Sequence, residues 1–279
     1  MPLFTIPNPE TEPYVKFFSV VEMYIGPLMG ILFYIGYAFF SHWKAFRQIA
    51  APKKPSRSLK ETYAKQKVQV HALLFRRVAA ALLVGGTGLL GVFLFASLVL
   101  RLGGFSSPTY LDGGVALSIL LAPLMMKLLF WKQKTAAELT MAHLSVTIWT
   151  FVVKIGCTFS QTMDGKTMQW GLPVFQWAAA PYGSHIFPYN LIYLLIMAAV
   201  LVSSFLLWRR GKPILPLLPL SFCPILFLGF FVGWDVGPKY LGLSLFQYCH
   251  LVLIAIGVCH LVVLLRNRKR EKAARAAES

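Results

Sequence analysis

Between positions 143 and 161 the chain carries His143, Thr147, Thr150, Lys154, Cys157 and Gln161, at steps of three and four residues. In a helix this spacing sets all six on one face. An amine among hydroxyls, a thiol and an imidazole can hold a phosphate or carboxylate, or stabilise charge that builds during a reaction. Interhelical hydrogen bonding by Thr and Gln is the competing reading. Lys154 favours a cavity, because an amine in an apolar setting needs an anionic partner or a route by which its head reaches water. Asp112, just before Gly113-Gly114, and His250 are further ionisable groups at the ends of apolar runs. Arg101, Asp235 and Gln247 are further polar residues at the ends of apolar runs, where such groups often mark function.

The elements that position these groups are membrane spans. Hydrophobic residues make up 57% of the 279-residue chain, and mean hydropathy is +0.64. A span needs about 20 apolar residues. Seven such segments are expected, at 17–40, 78–101, 111–130, 138–161, 189–208, 214–234 and 243–265. The fold class is therefore an all-α, polytopic seven-helix bundle forming a single domain over 1–279. Of the 27 basic residues, 22 fall in alternate connections: 41–77, the turns near 127–134 and 209–212, and the tail 266–279. The positive-inside rule then predicts an outer N-terminus and a cytoplasmic C-terminus in a bacterial inner membrane. The candidate polar groups gather at the opposite, outer ends of the spans.

The net charge of +17 does not point to nucleic acid. Its basic residues sit in short connections beside spans, where anionic headgroups account for them. Pro52 and Pro55 suggest a surface loop at the start of the basic connection. The opening Met1-Pro2-Leu3-Phe4 has no basic n-region, so the first span is expected to direct insertion itself. Cys157, Cys223, Cys249 and Cys259 form no Cys-x-x-Cys pair, and neither a metal site nor a cofactor is expected. The longest outer connection, 162–188, carries Trp170, Trp177 and Tyr182, which suit the membrane interface as an anchor or a lid.

In order and spacing, five segments resemble the prolipoprotein diacylglyceryl transferase family over about residues 17–265. They are Tyr110-Leu111-Asp112-Gly113-Gly114, Lys154-Ile155-Gly156-Cys157-Thr158-Phe159, Phe187-Pro188-Tyr189-Asn190-Leu191-Ile192-Tyr193, Phe230-Phe231-Val232-Gly233-Trp234-Asp235 and Ser244-Leu245-Phe246-Gln247. The resemblance implies a seven-span enzyme that moves the diacylglyceryl group of phosphatidylglycerol onto a lipobox cysteine thiol of a prolipoprotein. On that reading Asp112, Lys154 and His250 do the chemistry. Gly113, Gly114, Arg101, Cys157, Gly165, Asp235 and Gln247 hold the lipid or substrate. The expected partners are membrane phospholipid, a lipoprotein signal segment or another membrane protein.

The chain departs from the family pattern at charged positions. The family's His before Gly-Gly is Asp112 here, its fourth-span Arg is Lys154, and the Asn three residues on is Cys157. Its Glu in the next turn falls on Thr162, and its first-span Tyr on Met29. Its sixth-span arginines and glutamate fall on Ile225, Val232 and Gly229. Lysine keeps the charge but lacks the two-pronged fork of arginine. The alternative is therefore a non-catalytic relative that binds lipid, lipoprotein or a membrane partner. A transporter is the weakest reading, since the sequence has no internal repeat or broken helix pair.

Overall fold

The computed structural model describes residues 4–6, 17, 20–49, 57–101, 109–131, 135–160, 167–168, 175–177, 185–186, 189–212, 214–215, 217–232 and 239–278. Its helices are α1 (Gly26–Gln48), α2 (Arg57–Arg101), α3 (Thr109–Leu129), α4 (Ala136–Ser160), α5 (Tyr189–Arg209), α6 (Leu217–Val232) and α7 (Leu245–Glu278). A π-helical turn, Val21–Ile25, leads into α1. Four helical stretches are long and apolar enough to cross a membrane: Ser58–Leu94, Ala136–Thr158, Leu191–Arg209 and Gln247–Arg270. Gly113–Leu129 is apolar but shorter.

The helices overlap the expected segments, with two large differences, the first being that α7 runs on through the basic tail to Glu278. The basic connection 41–77 is mostly helix: α1 runs on to Gln48 and α2 begins at Arg57. Residues 57–72 hold Lys, Gln, Glu, Ala and Leu without Gly or Pro, and such side chains favour helix even when exposed. Pro52 and Pro55 lie outside the described residues.

Helix ends follow from local chemistry. Pro27 occupies the first turn of α1, where its missing N–H costs nothing. At the end of α5, Gly211 has φ 63°. There the Gly211 N–H donates to Trp208 O and the Lys212 N–H to Leu207 O, a Schellman closure. Short strands Lys239–Tyr240 and Leu243–Ser244 pair antiparallel across Leu241 and Gly242, both at positive φ. This hairpin delivers the chain to α7. In the connection between α4 and α5, Phe175–Trp177 pairs in parallel with Phe4–Ile6 of the N-terminal segment, and Thr167–Met168 pairs antiparallel with His185–Ile186.

The centre of the bundle is α4, with 67% of its apolar window buried against 39% or less for the other three. Close packing around it uses small residues, as helices in lipid do. A Cβ on Gly88 of α2 would sit 2.1 Å from the Trp149 ring of α4. One on Gly114 of α3 would meet Gly88 O at 2.5 Å. Ser118 donates to Val84 O at 3.0 Å across the α2–α3 contact. Ser145 donates to Gly30 O at 2.7 Å between α4 and α1.

Candidate functional site

The polar stripe of α4 faces inward: His143, Thr147, Thr150, Lys154 and Cys157 are all buried. The threonines are satisfied within their own helix, Thr147 donating to His143 O and Thr150 to Val146 O, each at 2.8 Å. Their role is local bonding, which leaves Lys154 as the chemically distinctive group. Its side chain is 1% exposed. Its Nζ lies 5.7 Å from the centroid of the Tyr193 ring on α5. An ammonium at that distance is attracted by the ring's negative face. The Tyr193 hydroxyl in turn donates to Ile225 O at 2.9 Å, so α5 and α6 hold the ring in place.

The buried face of α7 carries Gln247, His250, Leu253 and Gly257, and His260 follows in step. The His143 and His260 rings approach to 6.1 Å between centroids, which fixes the register of α7 against α4. Lys154 lies about three turns along α4 from His143, and His250 about three turns along α7 from His260.

A groove of about 150 Å³ runs between α3 and α7, lined by Ala116, Leu117, Leu120, Cys249, Val252 and Leu253. Its walls are apolar apart from one thiol. Leu120 and Val252 are 46% and 50% exposed, so it opens on the outside of the bundle. One end lies a turn from Gly113 and beside His250.

Two expected substrate contacts are occupied by structural work. Gln247 belongs to a capping box: Ser244 N–H donates to its Oε1 at 2.9 Å, and its own N–H donates to Ser244 Oγ at 3.3 Å. Its Nε2 donates to Phe227 O at 3.2 Å, tying α7 to α6. Gly114 is the close contact of α3 with α2. Gly113 is buried, as is Cys157, with its thiol free of any disulfide. Arg101 ends α2 and Asp112 stands in the first turn of α3. Their side chains lie outside the described residues, as do Gln161, Thr162, Asp164, Gly165 and Asp235.

A second polar cluster went unread in the sequence. Arg77 of α2 grips Glu138 of α4, with Nε and Nη2 at 2.8 and 2.6 Å from Oε1. Tyr34 of α1 donates to Glu138 Oε2 at 3.3 Å, and Arg77 lies 5.1 Å from the Tyr37 ring centroid. Arg77 looked like one more basic residue of a connection. Its carboxylate partner is 61 residues away in sequence.

No protein-family model, no curated protein and no solved structure matches this chain.

Proposed function

We propose that the chain crosses a bacterial inner membrane seven times, N-terminus outside, and handles phosphatidylglycerol at its outer end as a divergent diacylglyceryl transferase. The observation that carries this reading is a sequestered amine, Lys154, in a bundle that also opens an apolar groove to lipid. The groove accepts part of an acyl chain. The amine, with Arg101, holds the phosphate. In the reaction, Asp112 or His250 takes the proton of the lipobox thiol. The thiolate sulfur bonds to the glyceryl carbon, and the carbon–oxygen bond to phosphate breaks. Its electron pair leaves with glycerol phosphate, whose charge the cations offset.

The commitment of Gly114 and Gln247 to packing and capping favours a second reading, a relative that binds phospholipid or a lipoprotein segment without turnover. One set of experiments separates the two. Expression in a strain depleted of its diacylglyceryl transferase restores growth, and purified protein transfers the lipid from phosphatidylglycerol, if the first reading holds. Asp112→Asn and Lys154→Ala then abolish both. Ala116→Phe, which fills the groove, weakens lipid use while the protein stays folded. Phosphatidylglycerol that co-purifies without transfer supports the second reading. Absence of both binding and transfer refutes lipid handling altogether.

A further inference from the structure

In the half of the bundle nearer the basic connections, α4 and α7 meet through two histidines rather than through close backbone packing. His143 is 2% exposed. Its Nδ1 lies 3.1 Å from Leu139 O. A carbonyl only accepts, so Nδ1 carries the ring proton and Nε2 presents a lone pair. That Nε2 is buried without a hydrogen-bond partner, and so is Nδ1 of His260. Buried polar atoms are rarely left this way. Two on neighbouring rings point to a shared ligand.

The separation says how large the ligand is. His42 and His71, on α1 and α2, bond directly at 3.1 Å with ring centroids 4.9 Å apart. The His143 and His260 centroids are 6.1 Å apart with ring planes at 72°. The two nitrogens make no direct hydrogen bond, and one small species bridging them is the simplest partner for both. Charge narrows the choice further. No group of three or more His, Cys, Asp or Glu suited to a metal occurs among the described residues. Glu138, the one carboxylate on α4, is committed to Arg77. A cation held by two neutral rings in this setting lacks a counter-charge and is disfavoured.

We propose that His143 and His260 form a two-imidazole site holding one water molecule between α4 and α7. The water donates to His143 Nε2 and accepts from His260 Nδ1–H. The site acts as a hydrogen-bonded strut where the two helices do not pack directly. It is independent of the function proposed above.

A double-mutant cycle in detergent tests it. His143→Phe and His260→Phe each lower the unfolding temperature, and the double variant falls no further than the worse single. Losses that add in full overturn the strut. Because a single variant can fail to fold, a second measurement uses the wild type alone. X-ray radiolysis in ¹⁸O-water labels the buried His143 ring if water is held against it. An unlabelled ring overturns the proposal. So does one-to-one uptake of Zn²⁺ or Cu⁺ that His143→Phe abolishes, which assigns the site to a metal.

Discussion

Removing the guanidinium from the Arg77–Glu138 pair is the most direct test of how this bundle is held. Arg77 and Glu138 have side chains 13% and 5% exposed, and two N–H groups converge on one carboxylate oxygen. Deleting one member of a buried pair costs about 3–5 kcal/mol, because the other is left charged and unpaired. Glu138 keeps some compensation. It sits in the first turn of α4, where the helix dipole returns about 0.5–1 kcal/mol. The Tyr34 hydroxyl also still points at it. Arg77→Leu is therefore expected to lose about 2–4 kcal/mol. In Arg77→Leu/Glu138→Leu neither charge is buried, and most of that loss is recovered, to within about 1 kcal/mol of wild type. Unfolding in mixed micelles can be followed by dye labelling of the buried thiols Cys157 and Cys223. A single variant within about 0.5 kcal/mol of wild type, or a double variant as unstable as the two singles summed, refutes the reasoning.

Other outcomes follow from contacts described above. Gly114→Ala drives a Cβ into Gly88 O and costs about 1–3 kcal/mol, whereas Gly36→Ala meets nothing within 4 Å and leaves thermal stability unchanged or raised. Ser244→Ala and Gln247→Ala each cost about 0.5–2 kcal/mol, and the double variant costs less than their sum, because one box is broken either way. Phosphatidylglycerol in the α3–α7 groove slows maleimide labelling of Cys249, while exposed Cys259 reacts at its usual rate. Equal rates with and without the lipid count against groove occupancy.

The apolar helices were legible because long apolar runs have few other solutions, and four of them are long and apolar enough to cross a membrane. That His143, Thr147, Thr150, Lys154 and Cys157 share one side of α4 was legible in their spacing, but the expected lipid-facing side was not borne out, since Trp149 and Val153 opposite are buried too. What escaped was chemistry that joins distant segments. Glu138 and Arg77 carry no local signal of each other. The first half of α2 escaped because its polar, basic sequence lacks the apolar periodicity that announces a helix. Gln247 is a different lesson. The Ser-x-x-Gln spacing before an apolar run is a helix-start signature, and the sequence reading took the same residue for a substrate contact. The His143–His260 ring contact joins residues 117 positions apart, which no sequence spacing reveals.

The 45 residues of α2 have one mechanical consequence. At 1.5 Å per residue the helix is about 67 Å long, roughly twice the hydrocarbon thickness of a bilayer. Its buried half is pinned tightly, by Gly85 against Ile31, Gly88 against Trp149 and Gly91 against Gly114. An unbroken rod gripped at one end behaves as a lever. A push on the exposed end near Ser58 is delivered, without a hinge to absorb it, to the glycine fulcrum beside Trp149.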